Sequence, residues 1–319
     1  MKRIYRIRRK EKKRMNKKKK SKPFLLAVLA AAAGAMLLTG CVDQSGSAKV
    51  TDTEGTAGNA DDLRIVATSP AVVDIMARLD IDLVGVCSST LSNIPARYSD
   101  VTTVGTAPSP DMEVIKTLDP DYVVGPAALQ GDVQSGLEAA GVDGIFLNME
   151  SIEGLYKSVE QLGTLFGRQA EAQAMLDEFA AFYYEYSKEN EGKESPKVLV
   201  LMGLPGSYVV ATGKSYVGSL VRLAGGTNVY EDGESNFLVA NTEDMQAKDP
   251  DIIVRAAHAM PEDVVEMFKE EFETNDIWKH FRAVEEGRVY DLPYESFGMS
   301  AKFNYPEALE ILGPMLYGE

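Results

Sequence analysis

A twelve-residue segment occurs twice in this chain, and it constrains the fold more than any other feature. Glu113-Val-Ile-Lys-Thr-Leu-Asp119-Pro120-Asp121-Tyr-Val-Val124 runs in register, 130 residues on, with Glu243-Asp-Met-Gln-Ala-Lys-Asp249-Pro250-Asp251-Ile-Ile-Val254. Each copy reads as a short helix, a turn and a strand. Asp and Pro favour the turn, and the brief apolar run after it has the length of a buried strand. Asp-Pro-Asp turns before strands are common, but matched helix starts point to a duplicated unit. The chain is therefore expected to fold as two similar lobes.

The flanking pattern agrees. Strands are expected at 64–67, 82–86, 121–124 and 144–147, with helices near 71–79, 110–118, 131–140 and 152–166. A second set has strands at 197–202, 251–254 and 288–292, and helices near 216–224, 242–248, 262–272 and 304–317. Such alternation means parallel α/β sheets, and 319 residues suit about two domains. The expected lobes are 62–150 and 196–319, each Rossmann-like. Between them, 151–195 is rich in Gln, Glu and Ala, with Gly163 and Gly167 as the interruptions expected in its middle, so it reads as one long, stiff helical connection.

The first forty residues read as an address. Residues 1–22 hold 14 Lys and Arg with one acid, Glu11, and an uncharged apolar stretch of 15 follows, Phe24 to Leu38. That is short of the ~20 residues a spanning helix needs and fits a secretory signal. It ends Leu38-Thr39-Gly40-Cys41, which resembles the bacterial lipobox; the resemblance implies that the chain is cut before Cys41 and lipidated there. The Ser/Gly/Thr-rich stretch 41–61 reads as a flexible tether, placing the lobes outside the cell membrane. Of 33 basic and 48 acidic residues, the chain beyond 22 keeps 19 and 47, a net charge of −28 that argues against nucleic-acid binding.

Catalytic patterns are missing. Gly213-Lys214-Ser215 ends like a phosphate loop, but Tyr208 stands where that motif needs glycine. There is no Gly-x-Ser-x-Gly elbow, and Cys87 ends an apolar strand, where a buried inert thiol is expected. Nothing supports a lipid-anchored hydrolase, so the chain is read as a binder and not an enzyme.

Ligands of open α/β sheets bind beyond the carboxyl ends of strands. Extending the repeat past its strands gives Val124-Gly-Pro-Ala-Ala128 and Val254-Arg-Ala-Ala-His258, so His258 leaves a strand end facing the crevice. His280, in Asn275-Asp-Ile-Trp-Lys-His280-Phe, reads as a surface or packing residue. The other crevice loops are 204–208, with Ser207 and Tyr208, 104–109, and 296–300, with Met299.

A lipidated chain of two α/β lobes and a helical link resembles the cobalamin, siderophore and heme class of substrate-binding proteins that serve ABC importers. The likeness is sharpest over 196–208, 211–216, 255–261 and 275–281, which are similar to the heme-receptor lipoproteins of iron-regulated surface systems. That resemblance implies heme clamped between the lobes, its iron between a first-lobe Met and a second-lobe His. The His position is His258. The Met position falls on Pro108, which has no ligand atom. Met112, in a helix that Ser109 caps and Pro110 begins, is the expected substitute, with Met260 and Met299 as weaker ones; iron on His258 alone is also sound chemistry. Ser207 and Tyr208 are expected to serve the propionates. The resemblance also implies that Glu113 and Glu243 dock on arginines of an ABC permease. A siderophore or corrinoid receptor of the same fold is the alternative reading.

Overall fold

The computed structural model of the chain describes residues 63–318 other than Leu91. The expected signal, tether and Cys41 lie outside them. The first lobe runs β1 (Ile65–Ala67), α1 (Pro70–Arg78), β2 (Gly85–Val86), β3 (Thr102–Thr103), β4 (Gly105–Thr106), β5 (Ser109–Pro110), α2 (Met112–Leu118), β6 (Tyr122–Pro126), α3 (Gln130–Ala140) and β7 (Asp143–Leu147). Its sheet has the order β3-β2-β1-β6-β7, all parallel. β1 is wholly buried, as a strand with helices on both faces must be. Ser69 caps α1 and Pro70 begins it, the arrangement that suits an orphan amide and a fixed φ.

Two helices follow, α4 (Ile152–Leu165) and α5 (Gln169–Glu189). The connection turns only at Gly167, whose φ of +68° a residue with Cβ would resist. Gly163, expected to break the helix, stays helical. Its missing side chain admits α5, since a Cβ there would lie 2.5 Å from that of Ala172.

The second lobe runs β8 (Lys197–Leu204), β9 (Ser207–Ala211), α6 (Tyr216–Leu223), β10 (Thr227–Asn228), β11 (Phe237–Val239), α7 (Thr242–Ala247), β12 (Ile252–Ala257), α8 (Pro261–Thr274), α9 (Arg282–Glu285), β13 (Val289–Asp291) and α10 (Tyr305–Tyr317). Its main order is β11-β9-β8-β12-β13, with β10 also on β8. The stretch 204–208, expected as a loop, is a tight antiparallel hairpin: Leu204 pairs with Ser207 across Pro205-Gly206, and Gly206 supplies φ of +80°. Proline before a glycine of positive φ is the chemistry of a type II turn.

The repeat folds identically in both lobes. Asp119, the cap of α2, and Asp249, one residue past the Lys248 cap of α7, both take left-handed backbone, φ 46° and 48°. Asp121 and Asp251 each accept the N–H of the residue before the neighbouring strand's apolar run, Arg64 and Lys197, at 2.7 Å, and return their own N–H to that residue's carbonyl at 2.8 Å. Ile115 and Met245 are the fully buried residues of the two short helices.

One hydrophobic cluster spans both sheets, including Ile65, Val124 and Met149 with Val200, Tyr216 and Leu309. Polar contacts cross with it: the Ala301 N–H donates to the Met149 carbonyl at 2.7 Å, the Ile152 N–H to Ser219 Oγ at 3.3 Å, and the Tyr156 hydroxyl to that of Tyr305 at 3.1 Å. Arg222 reaches Glu153 at 2.7 Å and Glu231 at 2.9 Å.

Candidate functional site

The strand ends of the first lobe meet the second in a cleft. Pro126, the last residue of β6, Ala128 just after it, and Met149 and Glu150, beyond β7, line it opposite Ser215, Tyr216, Phe237 and Met299. Met149 was not foreseen, yet it obeys the strand-end rule that singled out His258. Ala128 is the repeat partner of His258, 130 residues earlier.

His258 follows β12 directly, and its N–H donates to the Gly203 carbonyl at 2.9 Å, extending the ladder by one residue. Side chains alternate along a strand. Ala257 belongs to the cluster under α8, with Val264 and Phe268, whereas Ala256 belongs to the cluster containing Phe297 and Met299. His258 stands one residue past β12, at the strand end shared by these two clusters, and is not among the residues that line the cleft described above. The ring is half-buried, with Nδ1 enclosed and without a hydrogen-bond partner among the described residues. Burial lowers its pKa below the usual histidine value, so the imidazole is neutral at pH 7 and keeps a lone pair for a metal. Two residues along the chain, Met260 is 56% exposed.

Other candidates are placed differently. Met112 is the first helical residue of α2, but Asp111 caps the helix and Ser109 and Pro110 form a strand instead, because the Asp111 carboxylate accepts the N–H groups of Glu113 and Val114. The Met112 thioether packs over Gly136 of α3, its Sδ 3.3 Å from where a Cβ would stand, within the first lobe's own core. Met112 therefore packs against α3 of its own lobe and is not among the residues that line the cleft. Pro108 lies at the exposed tip of the β4–β5 hairpin.

Ser207 is exposed, whereas the Tyr208 hydroxyl donates to Glu271 Oε1 at 3.1 Å, and burial with that carboxylate raises its pKa. The same oxygen accepts from Trp278 Nε1 at 3.0 Å and Asn275 Nδ2 at 2.9 Å. Tyr208 thus helps to hold α8 on the sheet, a hub that no periodic signal in the sequence marks. His280 is exposed, as expected. Cys87 is buried and its thiol pushed up to about 11 by desolvation.

Glu113 and Glu243 hold the same position, second in α2 and α7, and both are exposed. Lys116 pairs with Glu113 at 3.3 Å. No group of three or more His, Cys, Asp or Glu among the described residues is placed to hold a bare metal ion, and no described helix is long and apolar enough to cross a membrane.

Two α/β lobes bridged by helices, with loops from both converging on one cleft, define a substrate-binding protein. The chain belongs to the periplasmic binding protein family, whose profile matches residues 65–295, and it is a binder rather than an enzyme. It is 38% identical over 283 residues to the high-affinity heme uptake system protein IsdE of Staphylococcus aureus, covering 88% of this chain and 94% of that protein. The crystal structure of S. aureus IsdE complexed with heme is similar at a TM-score of 0.75 and 39% identity, covering 80% of this chain and 99% of that one. An ABC transporter substrate-binding protein from Listeria monocytogenes EGD-e is similar at a TM-score of 0.77 and 46% identity, covering 81% and 99%.

Proposed function

We propose that this protein is a lipid-anchored receptor that captures heme between its lobes and delivers it to an ABC permease. The observation that carries the reading is His258: a neutral, half-buried imidazole directly after the carboxyl end of β12, where ligands of such sheets bind. Likeness to IsdE, named for heme uptake and solved with heme, supports the same ligand. Heme is a flat apolar ring with an iron centre, and it would gain a nitrogen ligand from His258 and apolar cover from the exposed Met260.

Pro108 offers no ligand atom and Met112 is packed away, which favours iron held by His258 alone on the protein side. Met299 is the partly exposed thioether lining the cleft. Glu113 and Glu243, paired by the repeat, are the docking contacts for a permease with two-fold symmetry. Anchoring is assigned to Cys41.

The test is the visible spectrum of purified residues 42–319 titrated with heme. Wild type and His280→Ala should give the same Soret band, and His258→Ala a weaker, shifted one. Equal heme binding by wild type and His258→Ala would refute the reading and leave a siderophore or corrinoid as the ligand.

A further inference from the structure

His258 differs from an ordinary metal-binding histidine in what stands behind it. Nδ1 is enclosed, so Nε2 is the nitrogen left for a ligand, yet no described residue bonds Nδ1. On the α8 side of the sheet the flanking carboxylates are committed elsewhere, and Glu295, on the 293–304 loop, is exposed. The Asp291 carboxylate takes two N–H groups of Arg255 at 2.7 and 2.6 Å, and Glu271 Oε1 takes Tyr208, Trp278 and Asn275. The ring's main chain, by contrast, is fixed to Gly203.

A neutral imidazole that gives the Nε2 lone pair to iron keeps its proton on Nδ1. In most metal sites that N–H donates to a carboxylate or carbonyl, which orients the ring and makes the ligating nitrogen more basic; loss of such a partner costs about 10–100-fold in metal affinity. Resting on the heme reading above, we infer that His258 binds iron as an unbacked imidazole, its Nδ1–H facing no acceptor. The iron bond is then weak for a histidine, and retention depends on burial of the porphyrin by the two lobes. Separating the lobes on a permease would remove most of the grip at once, as suits a protein whose task is to give its ligand away.

The test replaces the side chain by free ligands. His258→Gly, loaded with ferric heme, is titrated with imidazole, with 4-methylimidazole, which adds a methyl but keeps the N–H, and with 1-methylimidazole, which has none. Each is normalised to its affinity for heme in micelles. All three should restore the Soret band within about threefold of one another, because no acceptor rewards the N–H; 1-methylimidazole at least tenfold poorer than both others would overturn the inference, that being the penalty for a lost partner.

A second measurement avoids the variant. The iron–histidine stretch of reduced wild type should match that of a ferrous porphyrin–imidazole complex in apolar solvent, and a band shifted upward, toward imidazolate, would overturn the inference. Wild type that binds no heme refutes the functional reading and the inference with it. Wild type that binds heme while 1-methylimidazole fails refutes the inference alone.

Discussion

Replacing Gly203 by alanine puts one methyl group where the structure has no room. Gly203 lies in β8 between Tyr208 of β9 and Ala257 of β12, and a Cβ there would stand 2.3 Å from Val264 Cγ1 and 2.7 Å from Phe268 Cε2. Both neighbours are 1% exposed and closely enclosed, so relief requires α8 to lift from the sheet. Overpacking of this kind costs about 1–3 kcal/mol. At about 2–4 °C per kcal/mol for a body of this size, a cost of about 2 kcal/mol lowers Tm by about 4–8 °C.

Thermal and urea unfolding measure the effect. The Gly203 carbonyl also holds the His258 N–H, so heme affinity should fall with stability. Val264→Ala alone should cost about 2 kcal/mol from two lost methyl groups. Combined with Gly203→Ala it should cost at least about 1 kcal/mol less than the sum, because it removes the nearer clash. A Gly203→Ala protein as stable as wild type, or strictly additive variants, would refute the close packing of α8 on β8.

Three further outcomes are expected. Glu271→Ala leaves the buried Trp278 N–H without its acceptor and should destabilise by about 1–3 kcal/mol, whereas Glu271→Gln keeps an acceptor and should cost less; Trp278 is the chain's one tryptophan, so its emission reports the change directly. Burial lowers the pKa of His258 in the folded state, so the unfolded chain binds the extra proton first, and this group's contribution to stability falls as pH drops below about 6.5 until the folded-state pKa is passed. Wild-type Tm should accordingly fall more steeply between pH 7 and 5 than that of His258→Ala, and parallel profiles would count against a buried neutral ring. Glu113→Ala with Glu243→Ala should abolish heme uptake by cells and leave the Soret titration unchanged, and unimpaired uptake would remove the docking role.

What could be read from the sequence was what short stretches of chain encode. Apolar runs bounded by Asp and Pro marked the central strands because a buried parallel strand needs little beyond its own composition, and the repeated Asp-Pro-Asp marked both lobes because the same backbone clasp recurs at Asp121 and Asp251. Placing His258 at a strand end needed only that repeat.

Side-chain partners far apart in the chain were settled by tertiary structure alone. Tyr156 meets Tyr305 across 149 positions, and Tyr208 meets Glu271 across 63; no local pattern records such pairs, because they depend on how whole elements pack. The same reason separates two similar-looking methionines. Met112 is consumed by the facing Gly136 of α3, while Met299 sits in a loop that lines the cleft. Composition gives each a thioether, and only the surroundings decide which one is left free to meet a ligand.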